Sequence, residues 1–301
     1  MHKMKNVFAG VLVLLALCVS AAEGIAEFDY PEARIIAVQD KESKFPAELF
    51  FPAEPTDFRP AVREYDASVN VFLIQDKKSG AVALIDTGYG RTKGGKLHRK
   101  LRELNIDPSR VEAVFLTHIH PDHVGGLLSG ASLLTMARTL FIRMEEAAFP
   151  NAKLYIARTE YNLWWEGGRQ ENLRKYLRPY SREGNLCLFE YDEKIKGFFG
   201  GIVPHRAAGH TPGHTVFEWQ ASPEEKVFFV GDLLHAADLQ VEHFEFCAKF
   251  DRNPSQATAV RNEALLVYRG YWFGAHFPFP GRISVIRTTP KDGGEIFGYL
   301  R

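Results

Sequence analysis

The sequence predicts an α/β fold, and three features carry that reading. Strand-like apolar segments alternate with helix-like ones along the chain. The strands outnumber the helices without segregating from them. A dense group of chemistry-bearing side chains follows directly on a buried strand, the edge on which α/β sheets build their sites. Composition agrees with a globular domain. The chain has 301 residues, 46% apolar and 25% charged, which suffices for one large core. Lysine plus arginine and aspartate plus glutamate both total 37. That balance argues against a nucleic-acid binder, which normally carries a basic excess. Three cysteines are too few for a disulfide scaffold or a four-thiolate zinc site, whereas eleven histidines are available as ligands.

Residues 1–22 read as a signal peptide. Lys3 and Lys5 precede an uncharged apolar run, 7–19, that is too short to span a bilayer comfortably, so no membrane span is expected. Ser20-Ala21-Ala22 supplies small residues for cleavage, and Gly24-Ile25-Ala26 places a second possible cut at 26. Leu15-Ala16-Leu17-Cys18 is lipobox-like, but bulky Leu17 argues against a lipoprotein. The expectation is an exported protein, periplasmic or secreted. Cleavage after Ala22 removes two lysines and leaves 35 basic against 37 acidic residues. Cys187 and Cys247 remain; they either pair in an oxidising compartment or stay as buried thiols.

The remaining 27–301 reads as a single domain. Its first part, 27–66, is rich in proline and phenylalanine and is expected to be an irregular arm. Segments 68–75 and 81–85 form a strand pair across a polar turn. A helix is expected over 96–104, where Leu97, Leu101 and Leu104 share a face, followed by a buried strand at 111–116. Beyond it come a helical stretch, a strand at 153–157 and a helix over 160–176, with further strands near 186–190, 216–219 and 226–230.

The strand at 111–116 runs into Thr117-His118-Ile119-His120-Pro121-Asp122-His123-Val124-Gly125-Gly126, which holds four potential metal ligands within six residues. On extended backbone His118 and His120 point the same way, while Asp122 and His123 lie past a proline that turns the chain toward a second ion. Imidazole and carboxylate suit zinc-like divalent ions. Three more motifs follow in order: Gly209-His210-Thr211-Pro212-Gly213-His214, Gly231-Asp232 at the end of an apolar run, and His276 within Gly274-Ala275-His276-Phe277-Pro278. Alone, each would mean little.

Together these motifs resemble the metallo-β-lactamase-fold hydrolase superfamily, over essentially the whole of the chain after the leader. The Phe149-Pro150-Asn151-Ala152 run and the Ala275-His276-Phe277-Pro278-Phe279-Pro280-Gly281 run resemble the branch of N-acyl homoserine lactone lactonases and methyl parathion hydrolase. The resemblance implies a four-layer αββα sandwich with two metal ions, Zn²⁺ first and Fe, Mn or Co as other candidates. It implies that His118, His120 and His214 hold one ion, that Asp122, His123 and His276 hold the other, and that Asp232 bridges them. His210 and Asp86 are then supporting residues. Catalysis would use a metal-bridging hydroxide, oriented by Asp232, with Asp122 passing a proton. His235 stands where some lactonases carry a substrate-contacting tyrosine, which makes it a candidate substrate contact. The stretch 129–148 looks longer than its equivalent in relatives and reads as a lid or interface helix.

The resemblance leaves two hydrolase readings. The first is a lactonase or carboxylic esterase on a small-molecule substrate such as an N-acyl homoserine lactone; the second is a phosphotriesterase. An iron oxidoreductase or a non-catalytic metal-binding member is the reading from another class. A homodimer is possible.

Overall fold

The computed structural model describes residues 23–129, 145–165, 171–288 and 296–300. The leader 1–22 and most of the expected lid, 130–144, lie outside the described residues.

Two sheets stack face to face. Seven strands make the first, in the order β1 (Ile25–Asp29), β2 (Ala33–Pro46), β4 (Glu64–Asp76), β5 (Val82–Ile85), β6 (Val111–Phe115), β7 (Lys153–Ala157) and β8 (Leu186–Phe189); six make the second, in the order β15 (Ile296–Leu300), β14 (Arg282–Thr288), β13 (Tyr271–Gly274), β11 (Glu225–Gly231), β10 (Thr215–Ser222) and β9 (Ile202–Arg206). Inward-facing apolar residues alternate along the strands, and the two sets meet between the sheets. Phe28, Ile35, Phe72, Ile74, Ile85 and Phe115 of the first sheet pack against Phe217, Trp219, Val227, Phe229 and Phe273 of the second. The outer face of the first sheet is covered by the helices α1 (Leu97–Glu103), α3 (Arg158–Trp165) and α4 (Glu171–Arg182). The outer face of the second is covered by the short α5 (Ala237–Gln240) and by α6 (Pro254–Val267), whose Ala264 and Leu265 pack on Val216, Phe228 and Trp272. Helix, sheet, sheet, helix is the expected αββα sandwich. The expected 160–176 helix consists of α3 and α4, with 166–170 outside the described residues.

The arm differs from expectation. Residues 27–66 are mostly ordered strand rather than irregular wrap. β1 (Ile25–Asp29) pairs antiparallel with β2 (Ala33–Pro46), which pairs in turn with β4 (Glu64–Asp76) over almost its whole length. Ile35 and Ala37 of β2 face the second sheet while Ile36 and Val38 face the helices, so the strand is buried on both sides and shows no polar alternation in the sequence. Apart from the short 30–32 connection, 53–63, between β3 (Phe50–Pro52) and β4, is the part that runs without regular structure. Cys187 on β8 (Leu186–Phe189) and Cys247 on β12 (Phe246–Ala248) are both free thiols.

Topology brings the functional segments to one rim. Strands β5 (Val82–Ile85) and β6 (Val111–Phe115) are parallel, and their C-terminal ends deliver Asp86 and the 117–123 loop. In the second sheet β11 (Glu225–Gly231) and β13 (Tyr271–Gly274) are parallel, and their ends deliver Asp232 and His276. The 209–214 loop reaches the same rim between β9 (Ile202–Arg206) and β10 (Thr215–Ser222). Crevices beyond the carboxyl ends of parallel strands are the usual sites in α/β sheets.

Candidate metal centre

The 117–124 loop is shaped by Asp86. Its carboxylate accepts the Thr117 N–H at 2.9 Å and the Thr117 hydroxyl at 2.8 Å, and lies 2.8 Å from His123 Nδ1. Asp86 itself holds a φ of 58°, a conformation unusual for a residue with a side chain and tolerated where surrounding bonds over-determine it. His118 Nδ1 sits 3.1 Å from the Thr117 hydroxyl, which turns its Nε2 inward. His120 is the residue before α2 (Pro121–Val124), whose first position Pro121 suits. The helix then swings Asp122 and His123 to the same side.

The structure corrects the reading of the Gly-His-Thr-Pro-Gly-His motif. His210, not His214, joins His118, His120 and Asp232 in one group of potential ligand atoms within 4.8 Å of one another. His210 Nε2 lies 2.9 Å from His120 Nδ1 and 3.3 Å from Asp232 Oδ2. His214 is fully buried, and its Nε2 accepts the Asp232 backbone N–H at 2.9 Å. Backbone packs so tightly there that a Cβ on Gly231, which has a φ of 51°, would sit 2.7 Å from that nitrogen. A ring nitrogen already holding a backbone donor is not available to an ion. His214 is therefore the supporting residue and His210 the candidate ligand, the reverse of the expectation.

Asp122, His123 and His276 form the second group. Asp232 lies between the two. Its Oδ1 is 3.1 Å from His123 Nε2, and its Oδ2 is 3.1 Å from His276 Nε2 and 3.9 Å from His118 Nε2. Its Oδ2 thus faces histidines of both groups, which makes Asp232 the candidate bridging residue. His276 Nδ1 is taken by the Ser68 carbonyl at 3.2 Å, so its Nε2 faces in. His235 lies beneath Asp232, with Nε2 3.1 Å from its Oδ2 and its ring stacked on His276 at 5.3 Å between centroids. It is fully buried there and lines no part of the cavity described below.

The electrostatics suit cations. Burial and then the His123 charge push His118 well below its ordinary value, and burial and His210 take His120 down to about 3, so both rings are neutral donors. Burial opposes ionisation of Asp232, but His276, His123 and His118 around it hold its carboxyl well below the usual range. Burial likewise opposes charge on His123, yet Asp232, Asp86 and Asp122 raise it well above an ordinary histidine. Hydrogen bonds within the protein do not satisfy this cluster. His123 Nε2 and Asp232 Oδ1 are buried and 3.1 Å apart without the alignment of a hydrogen bond. Nitrogens of three histidines converge on the same space. Cations resolve both, and the donor set of imidazoles and carboxylates, with outer nitrogens fixed by Asp86, Thr117, Ser68 and Asp251, fits a dinuclear metal site.

Three buried residues that position the ligands were not singled out in the sequence. Glu160 of α3, fully buried, accepts the Ile119 N–H at 3.0 Å and the Trp164 Nε1–H at 2.7 Å with one oxygen. Its other oxygen accepts the Thr211 hydroxyl at 2.8 Å and the Gly213 N–H at 3.1 Å. One carboxylate thus ties the 118–120 loop to the 210–214 loop. Asp251 Oδ1 lies 3.0 Å from His210 Nδ1, and Arg261 of α6 stands 3.7 Å behind Asp251 while donating to the Leu233 carbonyl at 3.0 Å. Nothing local marks these residues. A single Glu, Asp or Arg in a helix or loop is ordinarily a solvated side chain, and only the packed structure shows otherwise.

Above the ligands opens a cavity of about 270 Å³, lined by His120, Asp122, His210, Asp232 and His276 together with Ser43, Phe45, Val69, Tyr89, Pro121 and Phe250. A larger groove of about 560 Å³ lies beside α1, but its lining residues, among them Arg91, His98 and Arg102, bring no group of metal-ligating side chains together.

A rim of imidazoles and carboxylates between two stacked sheets, flanked by helices, defines a metal-binding αββα protein. The chain belongs to the metallo-β-lactamase superfamily, whose sequence profile matches residues 65–270. No curated protein sequence matches it. Among solved structures it is similar to the hydrolase AbOPH of the β-lactamase superfamily, with a TM-score of 0.74 and 21% identity over 92% of this chain and 98% of that one. It is similar to AidC, a dizinc quorum-quenching lactonase in complex with a product, with a TM-score of 0.71 and 21% identity over 92% and 97%. A quorum-quenching N-acyl homoserine lactone lactonase aligns with a TM-score of 0.56 and 16% identity over 85% and 99%.

Proposed function

We propose that this protein hydrolyses lactones or carboxylic esters, with N-acyl homoserine lactones as the substrate class, using two divalent ions, most simply Zn²⁺. The observation that carries the reading is the pair of ligand groups with Asp232 between them, at the base of a small cavity that also has an apolar wall of Phe45, Val69 and Phe250. Bound ions there supply Lewis acidity and a water ionised near neutral pH. The chain's own residues do the rest. Asp232 stays ionised at the centre, and Asp122, at the cavity edge, is placed to take up and pass on a proton. The apolar wall suits an acyl chain and excludes water from it. Water adds to the carbonyl carbon, the ring or ester C–O bond breaks, and a carboxylate and an alcohol leave. The likeness to AidC supports this choice of substrate.

The test is metal analysis followed by a panel at fixed pH: N-hexanoyl homoserine lactone, an aryl ester, a phosphotriester and a cephalosporin. Two zinc-like ions per chain and fastest turnover of the lactone are expected. A phosphotriester turned over faster would replace the reading with a phosphotriesterase, and iron with no hydrolysis would replace it with an oxidoreductase.

We also propose export after cleavage at Ala22. Ile25 and Ala26 already pair with Val38 and Ala37, so a cut at 26 would take two residues from β1. The N-terminal sequence of the protein recovered from its host checks this. Among the described residues no helix is long and apolar enough to cross a membrane.

A further inference from the structure

Tyr89 lines the same cavity as the ligand groups and has no part in the roles assigned so far. It follows Asp86-Thr87-Gly88 at the end of β5. Its backbone is held from two sides. The Tyr89 N–H donates to Asp40 Oδ2 at 2.8 Å, and Asp40 is a fully buried carboxylate that also accepts the Lys96 and Leu97 N–H groups. Two residues earlier, Thr87 donates its N–H and its hydroxyl to the His123 carbonyl at 2.7 and 2.8 Å. The 88–90 turn then lies so close on the segment after His123 that a Cβ on Gly125 would sit 2.1 Å from the Tyr89 carbonyl oxygen. The base of the ring is therefore fixed relative to the ligand loop.

The ring itself is half-buried, with the Lys41 ammonium 4.8 Å from its centroid. That cation–π contact occupies a face of the ring and leaves the hydroxyl edge free of it. A tyrosine phenol ordinarily titrates at about 10, so at neutral pH it is protonated and able to donate. Tyr89 and Ser43 are the two hydroxyl-bearing side chains in the cavity lining; the other polar side chains there all belong to the ligand groups.

Resting on the hydrolase reading above, we propose that the Tyr89 hydroxyl donates a hydrogen bond to the carbonyl oxygen of the bound lactone or ester, where negative charge develops as water adds. A fixed, neutral donor aimed at that oxygen interacts more strongly with the transition state than with the substrate. Its removal therefore lowers kcat more than it raises KM.

The experiment compares wild type with Tyr89→Phe, which keeps the ring and its cation–π contact and removes only the hydroxyl. Both proteins are loaded with zinc, and zinc content and melting temperature are measured. Hexanoate, a carboxylate probe with an apolar tail, is titrated by calorimetry, and kcat and KM are measured on N-hexanoyl homoserine lactone and an aryl ester. The expected result is unchanged zinc content, hexanoate binding weakened about 5- to 20-fold, and kcat lowered roughly 10- to 100-fold with KM within about threefold, the range for losing one donor to a developing oxyanion. Unchanged hexanoate affinity and unchanged kcat in the variant would overturn the role of Tyr89 while leaving the hydrolase reading intact. Weakened hexanoate binding in a protein that hydrolyses neither compound would keep Tyr89 as the donor to a bound carboxyl oxygen and remove the hydrolase reading. A wild type that neither binds hexanoate nor hydrolyses either compound removes both.

Discussion

The two loops that supply the first ligand group are built on opposite principles. The 117–123 loop is nearly self-sufficient: strand, turn and short helix place His118, His120, Asp122 and His123 by local geometry, with Asp86 as brace. The 209–214 loop carries two histidines four residues apart, and local geometry does not choose between them. The choice is made from outside. Asp251 turns His210 inward, and the Asp232 N–H claims His214. A ligand motif is thus legible where its own backbone aims it and ambiguous where distant partners do.

The largest expected effect breaks this comparison directly. His210→Ala should lower zinc affinity by more than about 100-fold and abolish turnover, beyond the cost of losing an outer partner. His214→Gln, which keeps an acceptor near the Asp232 N–H, should retain both ions in a dialysed sample. The opposite ranking by metal analysis would restore His214 as the ligand.

Glu160→Ala is next. It strips three donors from the two loops at once, and a fourth, the Trp164 indole, on its own helix. Buried donors left without partners cost about 1–3 kcal/mol each where water cannot reach them. We expect a loss of about 2–5 kcal/mol in a urea melt, together with weakened zinc binding, since the loops lose their common anchor. An unchanged melt would mean that the loops hold their spacing without it.

Asp251→Asn tests the outside choice alone. It should reduce zinc affinity about 10- to 100-fold by chelator competition, with a smaller change in the melt. Equal zinc affinity in the two proteins would show that His210 is aimed by its own backbone after all.

The smallest effect concerns pH. Burial, and then His210, hold His214 down to about 3, whereas an unfolded histidine titrates near 6.5. Below that unfolded value the unfolded chain takes up a proton that folded His214 refuses, so its contribution to stability is complete above about pH 6.5 and shrinks as pH falls. In chelator-treated samples the advantage of wild type over His214→Gln should decline from pH 7 to 5, by up to about 1.4 kcal/mol per unit. A constant difference across that range would contradict the buried, neutral assignment.

Much of this is legible in the sequence alone. The α/β alternation, the strands at 111–115 and 153–157 and the HxHxDH loop could be read because each depends on the spacing of neighbouring residues. The strands of the arm were not, because Ile35 to Val38 are buried on both faces of β2 and so show no apolar–polar alternation, and the strand becomes plain only when β2 pairs with β4. Glu160, Asp251 and Tyr89 could not be read at all. A carboxylate between two ligand loops, or a phenol at a cavity wall, carries no local pattern.

By itself, then, the sequence determined the class of fold, the ligand types and the loop that presents four of them. The reason is physical: strand periodicity and the turn at Pro121 are short-range properties of the chain. Only the tertiary structure decided which histidine of the second motif faces the site, what fixes it, and what lines the cavity above. Those outcomes rest on contacts between residues far apart in the chain, such as His214 with Asp232, 18 positions on, and His120 with His210, 90 positions on, whose proximity exists only once both sheets have packed.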